Sequence, residues 1–168
     1  MNASIVVAIC ATVIAVLSLA VSIYEARAAR RHNRISVRPF LALGASLPVG
    51  GTAGLRLSNS GLGPAAITRT ILTLDGESLG EYSEDSVNVL RGKLSIRPAA
   101  VTFRKTILAA DYDQFLLSVG PFGRTEHAEF ADLLRHRLGL EIHYESLYGG
   151  EDYKTEWPRT HDPLSGPG

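Results

Sequence analysis

From Ala3 to Tyr24 the chain runs for 22 residues without a charged side chain, and no other feature restricts its possible folds as strongly. Ile, Val, Leu and Ala dominate the run. As an α-helix rising about 1.5 Å per residue it covers about 33 Å, against a bilayer hydrocarbon core of about 30 Å. A helix packed on a soluble core would carry a polar stripe on its outer side. Here the polar side chains are Ser4, Cys10, Thr12, Ser18 and Ser22, each able to bond back to its own helix. A cleaved signal peptide is the competing reading, but it wants a basic leading region and a shorter apolar stretch, and no Lys or Arg precedes this run. Residues 1–24 therefore read as an uncleaved single-pass anchor whose first partner is the lipid bilayer. Ala8, Ala11 and Ala15, or Ser18 and Ser22, give it small faces suited to helix packing.

Charge is distributed unevenly behind the run. Residues 25–38 hold Arg27, Arg30, Arg31, Arg34 and Arg38 against Glu25 alone, a local charge of +4 that leaves −4 on the rest of a formally neutral chain. Basic residues flanking a span stay on the cytoplasmic side. This predicts a protein of the inner (plasma) membrane with its N-terminus outside and its C-terminal domain cytoplasmic. Arg27, Arg30, Arg31 and Arg34 then lie at the membrane surface near anionic lipid headgroups, each contributing about 1 kcal/mol, although a topology signal is their simplest role. Alanine and arginine favour helix, so 25–38 reads as a basic juxtamembrane helix or linker that Pro39 ends. The acidic remainder lacks the basic footprint that a phosphate backbone demands, which argues against a nucleic-acid partner. A sole cysteine, Cys10, excludes an intrachain disulfide.

About 130 residues follow the anchor, enough for one domain with its own core. Phe40–Ala45 is a short apolar stretch; Pro48, Gly50, Gly51 and Gly54 mark a turn; Leu55 and Leu57 then alternate with Arg56 and Ser58 as in a half-buried strand. Ala66–Leu74 is rich in β-branched residues and stops at Asp75-Gly76, a tight-turn dipeptide. Further strands are expected at Val101–Ile107, Gln114–Val119, Leu140–Leu147 and Tyr153–Trp157. Ser86–Lys93 carries no clear pattern, and Glu126–Arg137 places Phe130, Leu133, Leu134 and Arg137 at helical spacing. The reading is a mainly β fold: a transmembrane helix, then an immunoglobulin-like β-sandwich over 39–157 with one or two short helices. The Pro- and Gly-rich stretch 158–168 is expected to be a disordered tail.

No motif points firmly to chemistry. Gly61-Leu62-Gly63-Pro64-Ala65-Ala66 formally contains G-x-G-x-x-A after a strand, but a dinucleotide site needs a helix directly after the glycines inside a parallel βαβ sheet. The residues that follow are β-branched, so a glycine turn between two strands is the better reading. None of His32, His127, His136, His143 and His161 falls in a compact metal pattern, and no second cysteine completes a zinc site. On the strand at Leu140, Glu141, His143 and Glu145 share one face while Leu140, Ile142 and Tyr144 share the other. Two carboxylates beside an imidazole could bind a metal or move protons; a solvated strand face has the same pattern. Asp111-Tyr112-Asp113 lacks the remaining ligands of a calcium loop. No serine or cysteine nucleophile stands in a recognisable elbow, and there is no P-loop. Tyr144, Tyr148, Tyr153 and Trp157 form an aromatic group that reads either as a partner surface or as core and edge of the last two strands.

The order of an uncharged span, then Tyr24-Glu25-Ala26-Arg27-Ala28-Ala29-Arg30-Arg31-His32-Asn33-Arg34, Arg38-Pro39, Asn59-x-Gly61-x-Gly63-Pro64-Ala65 and Tyr144-Glu145-Ser146-Leu147-Tyr148-Gly149 resembles a group of uncharacterised single-pass bacterial membrane proteins. The resemblance covers nearly the whole chain and implies an anchor with a β domain; it implies no catalytic residues. The expectation is a membrane-anchored, non-enzymatic protein-interaction or scaffold domain without a cofactor. The alternatives are a membrane-tethered ligand-sensing or regulatory domain, or a hydrolase using the Glu141, His143 and Glu145 face.

Overall fold

The computed structural model describes residues 2–103 and 106–158, with the backbone but not the side chains of residues 29–36. The chain divides into two units, Met1–Val37 and Arg38–Gly168. The first is one continuous helix, α1 (Ala3–Ser36). Within Ala3–Ala28 an 18-residue window reaches a mean hydropathy of 2.8, and none of it is buried, so the helix is long and apolar enough to cross a membrane. Thr12 satisfies its hydroxyl within the helix, donating to the carbonyl of Ala8 at 2.9 Å. Arg30, Arg31 and Arg34 are helical in backbone, and their side chains lie outside the described residues; Arg27 is exposed. The expected tail from 159 onward also lies outside them.

The second unit is built from two antiparallel sheets with few helices. One sheet has the order β1 (Leu41–Ser46), β2 (Ala53–Asn59), β7 (Asp113–Val119), β5 (Ala99–Ala100). The other runs β4 (Glu77–Gly80), β3 (Ala65–Leu74), β8 (Leu138–Ser146), β9 (Tyr153–Trp157), with β6 (Ile107–Leu108) added to β3. Leu43, Leu55, Leu57, Leu116 and Leu117 from the first sheet meet Leu72, Leu74, Leu140 and Ile142 from the second in one core. Along β8 the alternation in the sequence is realised: Leu138, Leu140, Ile142 and Tyr144 are buried and the residues between them are half-buried. Two bulges adjust the phase where strict alternation would fail. In β7 the register against β2 shifts so that Leu116 and Leu117 are both buried. In β3 Thr68 is the extra residue between Ile67, opposite Tyr144, and Arg69, opposite His143, which keeps Arg69 outside while Thr70, Leu72 and Leu74 turn inward.

One expectation needs correction. Of the strand expected over Val101–Ile107, Val101–Phe103 and Thr106 are not in strand, Ile107 opens β6, and residues 104–105 lie outside the described residues. The chain leaves the first sheet for the second here, and Phe103 packs on the ring of Tyr82 at 5.4 Å rather than continuing a ladder. The unpatterned stretch near Ser86 is a helix, α2 (Glu84–Gly92), nucleated by reciprocal bonds between Ser83 and Ser86 and packed through Val87 and Leu90. The helix expected over 126–137 is α3 (Ala128–Asp132) followed by a π-helical turn, Leu133–Arg137, which places Phe130, Leu133 and Leu134 in the core.

The glycine motif after β2 proves to be a clamp. Asn59 is buried, and its side chain makes four hydrogen bonds. Its Oδ1 accepts from the N–H groups of Phe40 and Gly61, both at 3.1 Å, and its Nδ2 donates to the carbonyls of Gly63 at 2.9 Å and Ala109 at 2.8 Å. The incoming chain Arg38–Phe40 runs across Gly61 so closely that a Cβ there would lie 2.3 Å from the Phe40 nitrogen. Leu41 then donates its N–H to Tyr144 Oη at 3.2 Å, and the Arg38 guanidinium lies over the Tyr153 ring at 4.5 Å. Gly61→Ala should therefore cost about 3 kcal/mol of domain stability, the scale of overpacking a tight site. Urea unfolding of the full chain in micelles, followed by the single Trp157, checks this; an unchanged midpoint would show that Arg38–Phe40 is not held there.

Candidate functional site

Three regions of the domain bring polar side chains together. The first is the outer face of β3, β8 and β9. His143 stands between two carboxylates, with Nδ1 2.9 Å from Asp152 and Nε2 2.6 Å from Glu141. Glu141 also meets Lys154 at 3.5 Å and Arg69 at 3.9 Å, and Lys154 pairs with Glu156 at 2.8 Å. Strand register makes this ladder, since β8 places Glu141 and His143 two residues apart and β9 sets Glu156 and Lys154 opposite them. A carboxylate at each ring nitrogen favours the imidazolium form of His143: Asp152 first and Glu141 second raise its pKa above the ordinary 6.5. The hydrogen bond from His143 in turn holds Glu141 below the ordinary 4.5. Both ring nitrogens are engaged by carboxylates, and the arrangement works as a cross-strand bridge. Glu145, on the same strand face, is turned away from it and accepts from the Gly150 N–H at 3.1 Å. Among the described residues, no group of three or more His, Cys, Asp or Glu is placed to hold a metal ion.

The second region is a cleft of about 490 Å³ beside β3. Thr68, Arg69 and Thr70 line it from the strand; Glu81, Ser83 and Asp85 line it from the chain leading into α2; Ile67, Tyr82 and Phe103 supply its apolar surface. Tyr82 anchors this wall. It is fully buried, takes its N–H to Thr70 Oγ1 at 2.9 Å and donates its hydroxyl to the Leu116 carbonyl at 2.8 Å, tying the second sheet's flank to β7 of the first. Burial pushes its phenol pKa up, so it stays a neutral donor. Along the β3 edge facing away from β8, β6 covers Ala65–Ala66 and β4 covers Leu72–Leu74. Between them, no strand among the described residues pairs with Thr68–Ile71 on that edge. Nothing in the sequence announces this gap, because it depends on two short strands stopping where they do.

The third region is the aromatic group, and the structure divides it. Tyr144 is buried, burial raising its phenol pKa, and serves the clamp described above. Tyr153 lies against it, ring centroids 5.5 Å apart. Trp157 sits at the far end of β9, opposite Leu140, and donates Nε1–H to the Leu134 carbonyl at 2.8 Å. Tyr148 is exposed on the β8–β9 turn. The four do not form one surface.

Comparison with known proteins gives no matching family model, no matching curated protein and no matching solved structure. The class is therefore defined by architecture alone: an apolar N-terminal helix followed by a two-sheet β domain.

The ion bridge has a defined pH window. A pKa raised on folding stabilises fully below the unfolded value, here about pH 6.5, and that contribution is lost as pH rises through the higher folded value. Glu141 behaves oppositely: its contribution is complete above pH 4.5 and is lost as pH falls through its lowered value. NMR titration of the His143 ring should give a midpoint above 6.5, moving down in Asp152→Asn, whose exposed carboxylate is the first cause of the shift. A midpoint unaffected by that substitution would break the assignment.

Proposed function

We propose that this protein is a single-pass, membrane-anchored, non-enzymatic interaction protein whose β domain receives an extended segment of a protein partner at the β3 edge. The observation that carries the reading is that no strand among the described residues pairs with Thr68–Ile71 between β6 and β4, on the edge that opens on the cleft. A short stretch of strand edge of this kind, between two covered ends, can offer backbone groups to one added strand, and its short length guards against unselective edge-to-edge aggregation. The lining carries Glu81 and Asp85 against Arg69. That balance, together with the acids in the first turn of α2, suits a segment bearing a basic side chain better than an anionic ligand.

The immunoglobulin-like reading of the domain is kept on the strand order. Sheets β1-β2-β7-β5 and β4-β3-β8-β9 follow the A-B-E-D and C′-C-F-G arrangement of that sandwich when the strands are lettered in chain order, with β6 as an addition. Placement of the domain on the cytoplasmic face, with the N-terminus outside, rests on the arginines of residues 25–38. Anionic headgroups beside Arg27, Arg30, Arg31 and Arg34 belong to the same reading.

A photo-reactive amino acid at exposed Thr68 should give a covalent adduct with a protein in intact cells, and Glu81→Lys with Asp85→Lys should reduce it at least tenfold. Equal yields from Thr68 and from Val49, at the opposite end of the domain, would end the edge-docking reading. For sidedness, Arg124→Cys in a Cys10→Ser background should resist a membrane-impermeant thiol reagent until the cells are lysed. Labelling in intact cells would reverse the orientation.

A further inference from the structure

Apolar side chains are exposed unevenly on the domain. Among the described residues beyond α1, eight large apolar side chains are exposed, and Phe40, Leu62, Ile107, Leu147 and Tyr148 are five of them. These five come from four separate stretches of chain, yet pairing gathers them at one end. Leu41 pairs with Asn59. Ala65, just after the Leu62 turn, lies between Leu108 of β6 and Ser146 of β8. The Phe40 carbonyl accepts from the Ser60 N–H at 2.9 Å, closing the ring of loops. Arg38, where the domain begins, is at this same end.

The loops that display these side chains are braced from within. Asn59 holds the turn that carries Leu62. In the β8–β9 turn, Glu151 accepts from the Ser146 hydroxyl at 2.8 Å, Glu145 accepts from the Gly150 N–H, and the Tyr148 N–H donates to Ser146 Oγ at 3.2 Å. Gly149 and Gly150 both adopt positive φ there, which lets the chain reverse tightly behind Leu147 and Tyr148. Two carboxylates at this end are thus turned onto the loop's own groups, while the apolar tips face out. Exposed apolar groups concentrated in this way mark a surface that something covers.

We propose that this end of the domain docks on the bilayer interface, with Phe40, Leu62, Ile107, Leu147 and Tyr148 seated among the lipid headgroups and the first acyl carbons. The occupant follows from the tether. After Tyr24, where the uncharged run ends, α1 continues for twelve residues to Ser36, about 18 Å of helix at 1.5 Å each. The interfacial layer on each side of the hydrocarbon is itself about 5–8 Å thick. Arg38, at the apolar end, follows Ser36 by two residues, so this linkage tethers that end to the membrane, and Tyr148 has the amphipathic character of residues that settle at headgroup depth. The attraction is apolar rather than electrostatic, because the chain beyond residue 38 carries −4. Neutral lipid is therefore sufficient. This docking involves loops at the end of the sheets and is independent of a partner at the β3 edge.

The test uses the full chain, Cys10→Ser, in phosphatidylcholine vesicles, with a polarity-sensitive fluorophore at Leu62→Cys, Ile107→Cys, Leu147→Cys or, as the control, Val49→Cys. All four positions are exposed, so folding does not depend on them. The expected result is blue-shifted emission at 62, 107 and 147, with strong quenching by lipids carrying a nitroxide just below the headgroup, and water-like, unquenched emission at 49. Water-like emission at all four positions would overturn the proposal. So would a blue shift without lipid quenching, accompanied by crosslinking between 62 or 147 of two copies, which would assign the patch to self-association.

Discussion

A buried amide side chain holds the domain's two sheets to the chain that leads into them. Asn59 has two donors and two acceptor lone pairs to satisfy, and all four go to backbone groups in three stretches: Phe40, the Gly61–Gly63 turn and Ala109. Those backbone groups lie at strand ends, where no ladder would otherwise satisfy them. The Ala109 carbonyl also accepts from the Tyr112 N–H at 3.2 Å, but leaving one of the others buried and unpaired would cost about 1–3 kcal/mol. The same point fixes where the chain arrives, which side of Gly61 it crosses and how close the loops of the second sheet come, so the apolar end of the domain depends on it.

Polar groups elsewhere follow the same economy. Tyr82 connects the flank of the second sheet to β7 through a single phenol hydrogen bond inside the core. Ser83 and Ser86 complete α2 between themselves, and Ser146 is shared between Glu151 and the Tyr148 N–H. Even the half-buried His143 is engaged at both ring nitrogens. No buried side-chain nitrogen or oxygen among the described residues lacks a hydrogen-bond partner. Satisfied in this way, the polar side chains hold loops and strand ends in place around the β3 edge and the apolar loops.

The sequence was most legible where a local period decided the outcome. Six of the seven expected strands appear, β8 with the face assignment read from Leu140, Ile142 and Tyr144 against Glu141 and His143. It was least legible where tertiary demands override a period. Val101–Ile107 has strand-forming residues but must cross between sheets, and α2 rests on a nine-residue pattern too short to stand out until Ser83 caps it. The Asn59–Ala66 motif was read as a glycine turn between strands, as it is, while the clamp function of Asn59 was invisible because its partners Phe40 and Ala109 are 19 and 50 residues away.

By itself the sequence determined an apolar helix long enough to cross a bilayer and a β domain behind it, because hydropathy over 22 residues and alternation over five to ten are local quantities. Only the tertiary structure decided which residues meet. It buried Tyr144 and left Tyr148 outside, paired His143 with Asp152, stopped β6 and β4 short of each other along β3, and gathered five apolar side chains from four stretches of chain at one end. The reason is physical. Strand pairing and register join residues far apart in the chain, and a one-residue bulge such as that at Thr68 reassigns every face beyond it, so neither can be read from any short window of sequence.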